Sequence, residues 1–181
     1  MNAVKLFLFA GFFLLAFNSC GPTLSPFTEQ LYRQNGWTES QLKRIQFYLS
    51  EDIVMRRELS GSRSEITSGE IKMVDGRQVE EVVIRKGTPG VLLFLPEKDR
   101  FAVSFEDGGR ERFLVFGPSP KVDGRYVLLA SEWKRRSGMV TYEGKKWRVD
   151  DRSAYASLLV DLKKVNRVSV DSRTATGRRI D

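Results

Sequence analysis

Histidine is absent from the chain, and cysteine occurs once, at position 20. These two shortages exclude much of the commonest catalytic chemistry. A Ser-His or Cys-His machine has no base, and a lone thiol forms no internal disulfide. Zinc and iron sites lose their preferred ligands. Only an oxygen-ligand calcium site remains open, and no Asp-rich loop offers one, so no metal or cofactor is expected. Glycine-rich phosphate loops are missing too: Gly87-Thr88-Pro89-Gly90 has neither the length nor the pattern of one, and reads as a tight turn. Proline is sparse, at six residues, and tryptophan occurs three times. The long apolar run a transmembrane helix needs, about twenty residues, is also lacking.

What the chain does have begins at its start. Lys5 is the only charge before Cys20, and Leu6 to Phe17 is an apolar run of signal-peptide length. Ser19 is a small residue suited to a peptidase cut. Phe17-Asn18-Ser19-Cys20 resembles the lipobox of bacterial lipoproteins, although Phe17 and Asn18 stand where that pattern has aliphatic and small residues. The resemblance covers this stretch alone. It implies that residues 1–19 are removed and that Cys20 carries the lipid. Two or three acyl chains suffice for stable anchoring. Gly21, in place of the aspartate that favours inner-membrane retention in such lipoproteins, leans towards the outer membrane. The absence of an acidic cluster after it favours the periplasmic face over the cell surface.

Without residues 1–19, 162 residues remain, with 29 basic and 23 acidic groups, or +6. That length suits one domain. We place the tether at 20–25, one β-rich domain at 26–171, and a loose basic tail at 172–181. The charge is uneven: residues 121–181 carry 15 basic and 8 acidic groups. An exported location argues against nucleic acid. It points to an anionic envelope polymer or an envelope protein complex.

Helix is expected mainly within 26–50. Ser25-Pro26 reads as a cap with proline in the first turn, running to Asn35-Gly36. Thr38 and Gln41 form a capping box, and Leu42, Ile45 and Leu49 recur at helical spacing, which predicts a helix over 39–50. From Asp52 the period becomes two. Strands are expected near 52–59, 63–74, 77–86, 90–95, 100–106, 110–117, 125–132, 138–142 and 145–149. Val91 to Leu95 reads as buried on both faces. Asp75-Gly76, Asp107-Gly108, Asp123-Gly124 and Glu143-Gly144 mark turns. Residues 153–165 fit a helix face and a strand face equally; the preceding hairpins favour strand. The fold class is therefore mainly β, an antiparallel sandwich or small barrel after a short helical hairpin. In this it resembles the class of outer-membrane lipoproteins with a small β domain, a likeness that carries no site residues.

Three constellations bear on chemistry. Ser131-Glu132-Trp133-Lys134 matches the Ser-x-x-Lys pattern of penicillin-binding enzymes, but its companion motifs are missing. Glu51-Asp52, Glu80-Glu81 and Asp150-Asp151 are adjacent carboxylates. Neighbours on a strand face opposite ways, so none is a ready catalytic pair, and they read as solvated charges at strand ends. The third is the most suggestive. Trp133, Lys134, Arg135 and Arg136 precede Lys145, Lys146, Trp147 and Arg148, and a hairpin at Gly144 brings the two runs together. Cations interleaved with indoles suit a face that grips an anionic partner. The expectation is a lipid-anchored envelope binding or assembly module with no assigned catalytic residue. The alternative is an envelope hydrolase using converging carboxylates.

The lipobox reading predicts that labelled fatty acid enters the wild-type chain and not Cys20→Ala. Equal labelling of both, or a released protein with an intact free thiol, would refute it.

Overall fold

The computed structural model describes residues 23–59, 70–74, 77–134 and 137–168. The signal-like segment, Cys20, Asp75-Gly76, Arg135, Arg136 and the 172–181 tail lie outside them. So does the part of the expected 63–74 strand before Glu70.

Among the described residues thirteen strands form two antiparallel sheets. In chain order they are β1 (Leu24–Pro26), β2 (Gln46–Leu49), β3 (Ile53–Glu58), β4 (Glu70–Val74), β5 (Arg77–Ile84), β6 (Pro89–Phe94) and β7 (Phe101–Ser104). There follow β8 (Leu114–Ser119), β9 (Arg125–Leu128), β10 (Ser131–Lys134), β11 (Ser137–Tyr142), β12 (Lys145–Asp150) and β13 (Leu158–Asp161). Three short helices accompany them: α1 (Glu29–Asn35), α2 (Glu39–Leu42) and α3 (Leu162–Val168). One sheet has the order β1-β13-β2-β6-β7-β8-β9, the other β10-β11-β12-β3-β5-β4. The fold is mainly β, and a sandwich fits it. The larger sheet bends back until β9 touches its other end, through single bridges Thr28–Arg125 and Val127–Ser157. No ladder continues there, so it is not a closed barrel.

Turn chemistry follows the sequence closely. Asp123-Gly124 and Glu143-Gly144 both place two successive residues in the left-handed region, with φ 55° and 68°, then 52° and 68°. That pattern joins β11 to β12 with two residues. Thr38 and Gln41 make the expected capping box, and Gly36 ends α1 with φ 58°.

Five expectations are corrected. The first helix does not start at Pro26. Leu24–Pro26 pairs with β13, the extended chain carries Phe27 into the core, and Thr28 is the cap. The second helix stops at Leu42 rather than reaching 50. Gln46–Leu49 instead buries Phe47 and Leu49 between β13 and β6, so two ladders outweigh helical spacing. The strand buried on both faces is β7, all four residues of which are buried. In β6, Val91 and Phe94 are exposed. Residues 153–165 are neither wholly strand nor wholly helix. Strand β13 gives way to α3 at Leu162, where the Asp161 carboxylate accepts from the Lys163 N–H at 3.0 Å. The expected 125–132 strand is likewise two strands, in different sheets.

The chain passes between the sheets four times: at Ser50–Asp52, Arg85–Thr88, Leu129–Ala130 and Asp151–Ser157. The last link ties two of the others, and the Arg85–Thr88 crossing is bonded to Leu49 and Asp52. Ser50 N–H donates to the Ser157 carbonyl at 2.9 Å, and Ser157 N–H donates to Ser50 Oγ at 2.8 Å. Val54 N–H donates to Ser153 Oγ, itself bonded to Asp150 Oδ1 at 2.8 Å. Leu128 N–H reaches the Ala156 carbonyl at 2.9 Å, and Gly87 N–H the Leu49 carbonyl at 2.7 Å. Asp52 Oδ1 accepts from the Lys86 N–H at 2.7 Å. That bond, with Arg85 beside it, holds the Asp52 carboxyl below the usual carboxylate range.

Between the sheets the core is aromatic at one end and mixed at the other. Phe27 lies 5.0–6.0 Å from the rings of Tyr126, Phe47, Phe101 and Trp37. At the other end the inner face of β3, β5 and β12 carries an ion pair. Glu80 is fully buried and bound by Arg57, whose guanidinium lies 5.5 Å over the Trp147 ring. The Glu80-Glu81 pair is thus not solvated at a strand end. It sits mid-strand, one carboxylate to each face, Glu81 held by Arg56 at 2.7 Å. Register places Arg57 opposite Glu80 and Arg56 opposite Glu81, an arrangement no local pattern reveals.

Removing one partner strands a buried charge. Arg57→Ala should lower stability by about 3–5 kcal/mol, while Arg57→Met with Glu80→Leu should return close to wild type. Urea unfolding measures both. A loss of under about 1 kcal/mol in the single variant would show that Glu80 is adequately served without Arg57.

Candidate functional site

The β10–β11–β12 ribbon carries the residues expected to form a basic, tryptophan-bearing face. Val140 lies opposite Trp147, Met139 opposite Arg148, and Lys134 opposite Ser137. Alternation along β12 then decides which side chains reach solvent. Lys146 and Arg148 are exposed on the outer face, and Trp147 and Val149 are buried. Trp147 is therefore corrected from partner contact to core. Its indole N–H donates to the Tyr142 carbonyl at 3.0 Å, and Arg57 covers its face. Lys145 shares its side of the strand and is half-buried. On the edge strand β10, Trp133 and Lys134 are exposed. Arg135 and Arg136 are outside the described residues.

The expected six-cation face is thus divided by the pleat. What remains together on the outer face is Lys146 and Arg148, joined by a residue the sequence reading did not include. Arg56 of β3 lies directly opposite Arg148. Like charges placed so cost stability, roughly 0.2–1 kcal/mol. Arg56 is relieved by Glu81, and Lys146 lies 3.9 Å from Glu132. Among the described residues Arg148 has no carboxylate partner. Arg56 was missed because only strand register brings it there from 92 positions away in the chain.

Ser131 and Lys134 do lie on one strand, but a bulge separates them and the Ser131 hydroxyl bonds the Met139 carbonyl at 3.2 Å. The pair has the geometry of a strand edge.

Among the described residues carboxylates converge around Arg112, apart from the adjacent pairs of the sequence. Arg112 Nε binds Glu143 at 2.6 Å, and its other nitrogen reaches Glu106 at 3.4 Å. Glu143 N–H bonds the Glu111 carbonyl at 3.0 Å. This cluster fastens the 105–113 loop to the β11–β12 turn. With one guanidinium shared by both carboxylates, its visible work is structural. Beside it the Tyr142 hydroxyl is buried without a hydrogen bond among the described residues. Tyr126 is in the same position near Asp99. Burial first, and these carboxylates second, push both hydroxyls well above the ordinary tyrosine range.

No protein-family model, curated protein or solved structure matches the chain. Its site must be read from its own residues. Among the described residues no group of three acidic side chains is placed to hold a metal ion, and no helix is long and apolar enough to cross a membrane.

Raised tyrosine pKa values have a definite sign. The folded state holds Tyr126 and Tyr142 neutral, so that contribution is complete below about pH 10 and is lost as pH rises further. Phenolate absorbance should show a late step coincident with loss of the β circular dichroism signal. Tyr126→Phe should shrink that step and move unfolding to higher pH. Ionisation of all five tyrosines with the fold intact would contradict the burial argument.

Proposed function

We propose that the chain is a lipid-anchored binding or assembly module of the cell envelope, held through Cys20 on the periplasmic face of the outer membrane. It engages an anionic partner with the outer face and edge of its six-stranded sheet. The observation that carries this reading is Arg148. It is exposed, flanked by Lys146 on its own strand and Arg56 on the next, with no carboxylate of its own among the described residues. A like-charge pair across a ladder costs stability unless an anion arrives to bridge it. Lys134 and Trp133 extend the surface around the β10 edge.

The tether supports the same reading. Strand β1 begins at Leu24, four residue steps from Cys20 with three residues between, shorter than the 20–25 span expected. At about 3.6 Å per residue the domain is held within about 14 Å of the lipid. Charges on such a domain lie close to surface phosphates, where screening lengths are about 8 Å. The anionic groups that suit this surface are those of an envelope polymer such as lipopolysaccharide, or of an acidic partner protein.

Lys146→Glu with Arg148→Glu should abolish binding of the full chain to purified lipopolysaccharide, with circular dichroism unchanged. Wild-type binding should weaken steeply with salt. Undiminished binding by the reversed variant, or indifference to salt, would reduce the strip to a solubilising surface.

A further inference from the structure

A second surface lies where β9 crosses to β10 and shares Trp133 with the edge named above. Trp133 and Tyr155 stand exposed beside a groove of about 370 Å³, whose walls include Pro118, Pro120, Leu129 and Lys121. Large exposed aromatics paired this way are unusual on a sheet edge. Trp133 is seated rather than loose. Its ring lies against Gly138, where even a Cβ would come within 3.0 Å of the indole carbons. Glycine is therefore what lets the ring lie flat. The β10 backbone does not invite a partner strand, since it carries a bulge and Glu132 with φ 53°.

The polar atoms of the groove narrow the ligand. Among the described residues its polar side-chain groups are the Trp133 N–H, the Lys121 ammonium and the hydroxyls of Ser119 and Tyr155, with no carboxylate or amide side chain. The indole N–H has no hydrogen-bond partner among the described residues. Indole and ammonium only donate, and hydroxyls can donate. A saccharide presents many hydroxyl donors and would find few side-chain acceptors. An acyl chain would leave the donors unmet. A proline-rich segment presents apolar rings, carbonyl acceptors and no N–H. It is also pre-extended, so little ordering entropy is lost on docking against aromatic rings. The one charge lining the groove is positive, which matches acidic residues beside the prolines.

We infer that this groove binds a proline-rich, acid-flanked segment of a partner protein in the extended polyproline conformation. The inference stands on the groove alone and does not need the basic strip. The probe is a blocked peptide of about ten residues, prolines followed by two glutamates, roughly 30 Å long at 3.1 Å per residue. It is titrated calorimetrically into the detergent-solubilised full chain. Saturable binding is expected. Trp133→Ala and Tyr155→Ala should each weaken it at least about tenfold. Tyr155 is 69% exposed, so its removal leaves the fold untouched and keeps the test valid if Trp133→Ala loosens the edge. Lys121→Gln should remove only the gain due to the glutamates, and a glycine-for-proline peptide should not bind. Absence of binding to wild type, or equal binding by Tyr155→Ala, overturns the proposal. So does saturable binding of an oligosaccharide or a lysolipid that the two aromatic variants abolish, because it assigns the groove to another ligand.

Discussion

The link from Asp151 to Ser157 is the constraint on which the architecture depends. Two sheets made by one chain must exchange strands, and each exchange exposes backbone groups no ladder can satisfy. Here one short segment makes one exchange itself and bonds two of the others, while the Arg85–Thr88 crossing is held by Leu49 and Asp52. Ser153 supplies an acceptor to β3, Ser157 and Ser50 bond each other reciprocally, and Ala156 supplies an acceptor to β9. Ser153 and Ser157 are buried, so these bonds are shielded from water and leaving them unmade would carry the full desolvation cost. With the exchanges fixed, the bend of the larger sheet and the facing of the smaller one follow.

Charge buried inside this frame has a further consequence. Glu80 at the centre of β5 forces Arg57 inward, and Arg57 in turn lies over Trp147. An ion pair of this kind is weak evidence for added stability, but it penalises any slipped register of β3 against β5, since a slip by one residue would leave Glu80 without its guanidinium. The same pleat puts Arg56 and Glu81 on the outer face. Inner and outer charge arrangements of the sheet are thus one arrangement, set by register.

The two proposed surfaces lie where that frame ends. Arg148, Lys146 and Arg56 occupy the middle of an outer face, while Trp133 and Tyr155 border a groove at the crossing from β9 to β10. A short lipid tether would hold both near the membrane, one suited to anions and the other to an extended apolar segment.

Much of the fold was legible from local chemistry. The change of period at Asp52, the Asp-Gly and Glu-Gly turns and the Thr38 capping box each act over a few residues, so the sequence by itself determined a mainly β chain and most strand positions. It also bounded the chemistry, because a chain without histidine cannot build a histidine-based site. Pairing decided the rest. Gln46–Leu49 satisfied helical spacing but became a strand, since two neighbouring ladders outweigh a weak local preference. Trp133 and Trp147 had equivalent surroundings in the sequence, and only the sheet's alternation and its partner β3 sent one to solvent and the other to the core. Arg56 joined Arg148 and Glu80 found Arg57 by register, and the crossing alone brought Trp133 and Tyr155 to line one groove. Those residues are far apart in the chain, and no short-range pattern encodes their placement.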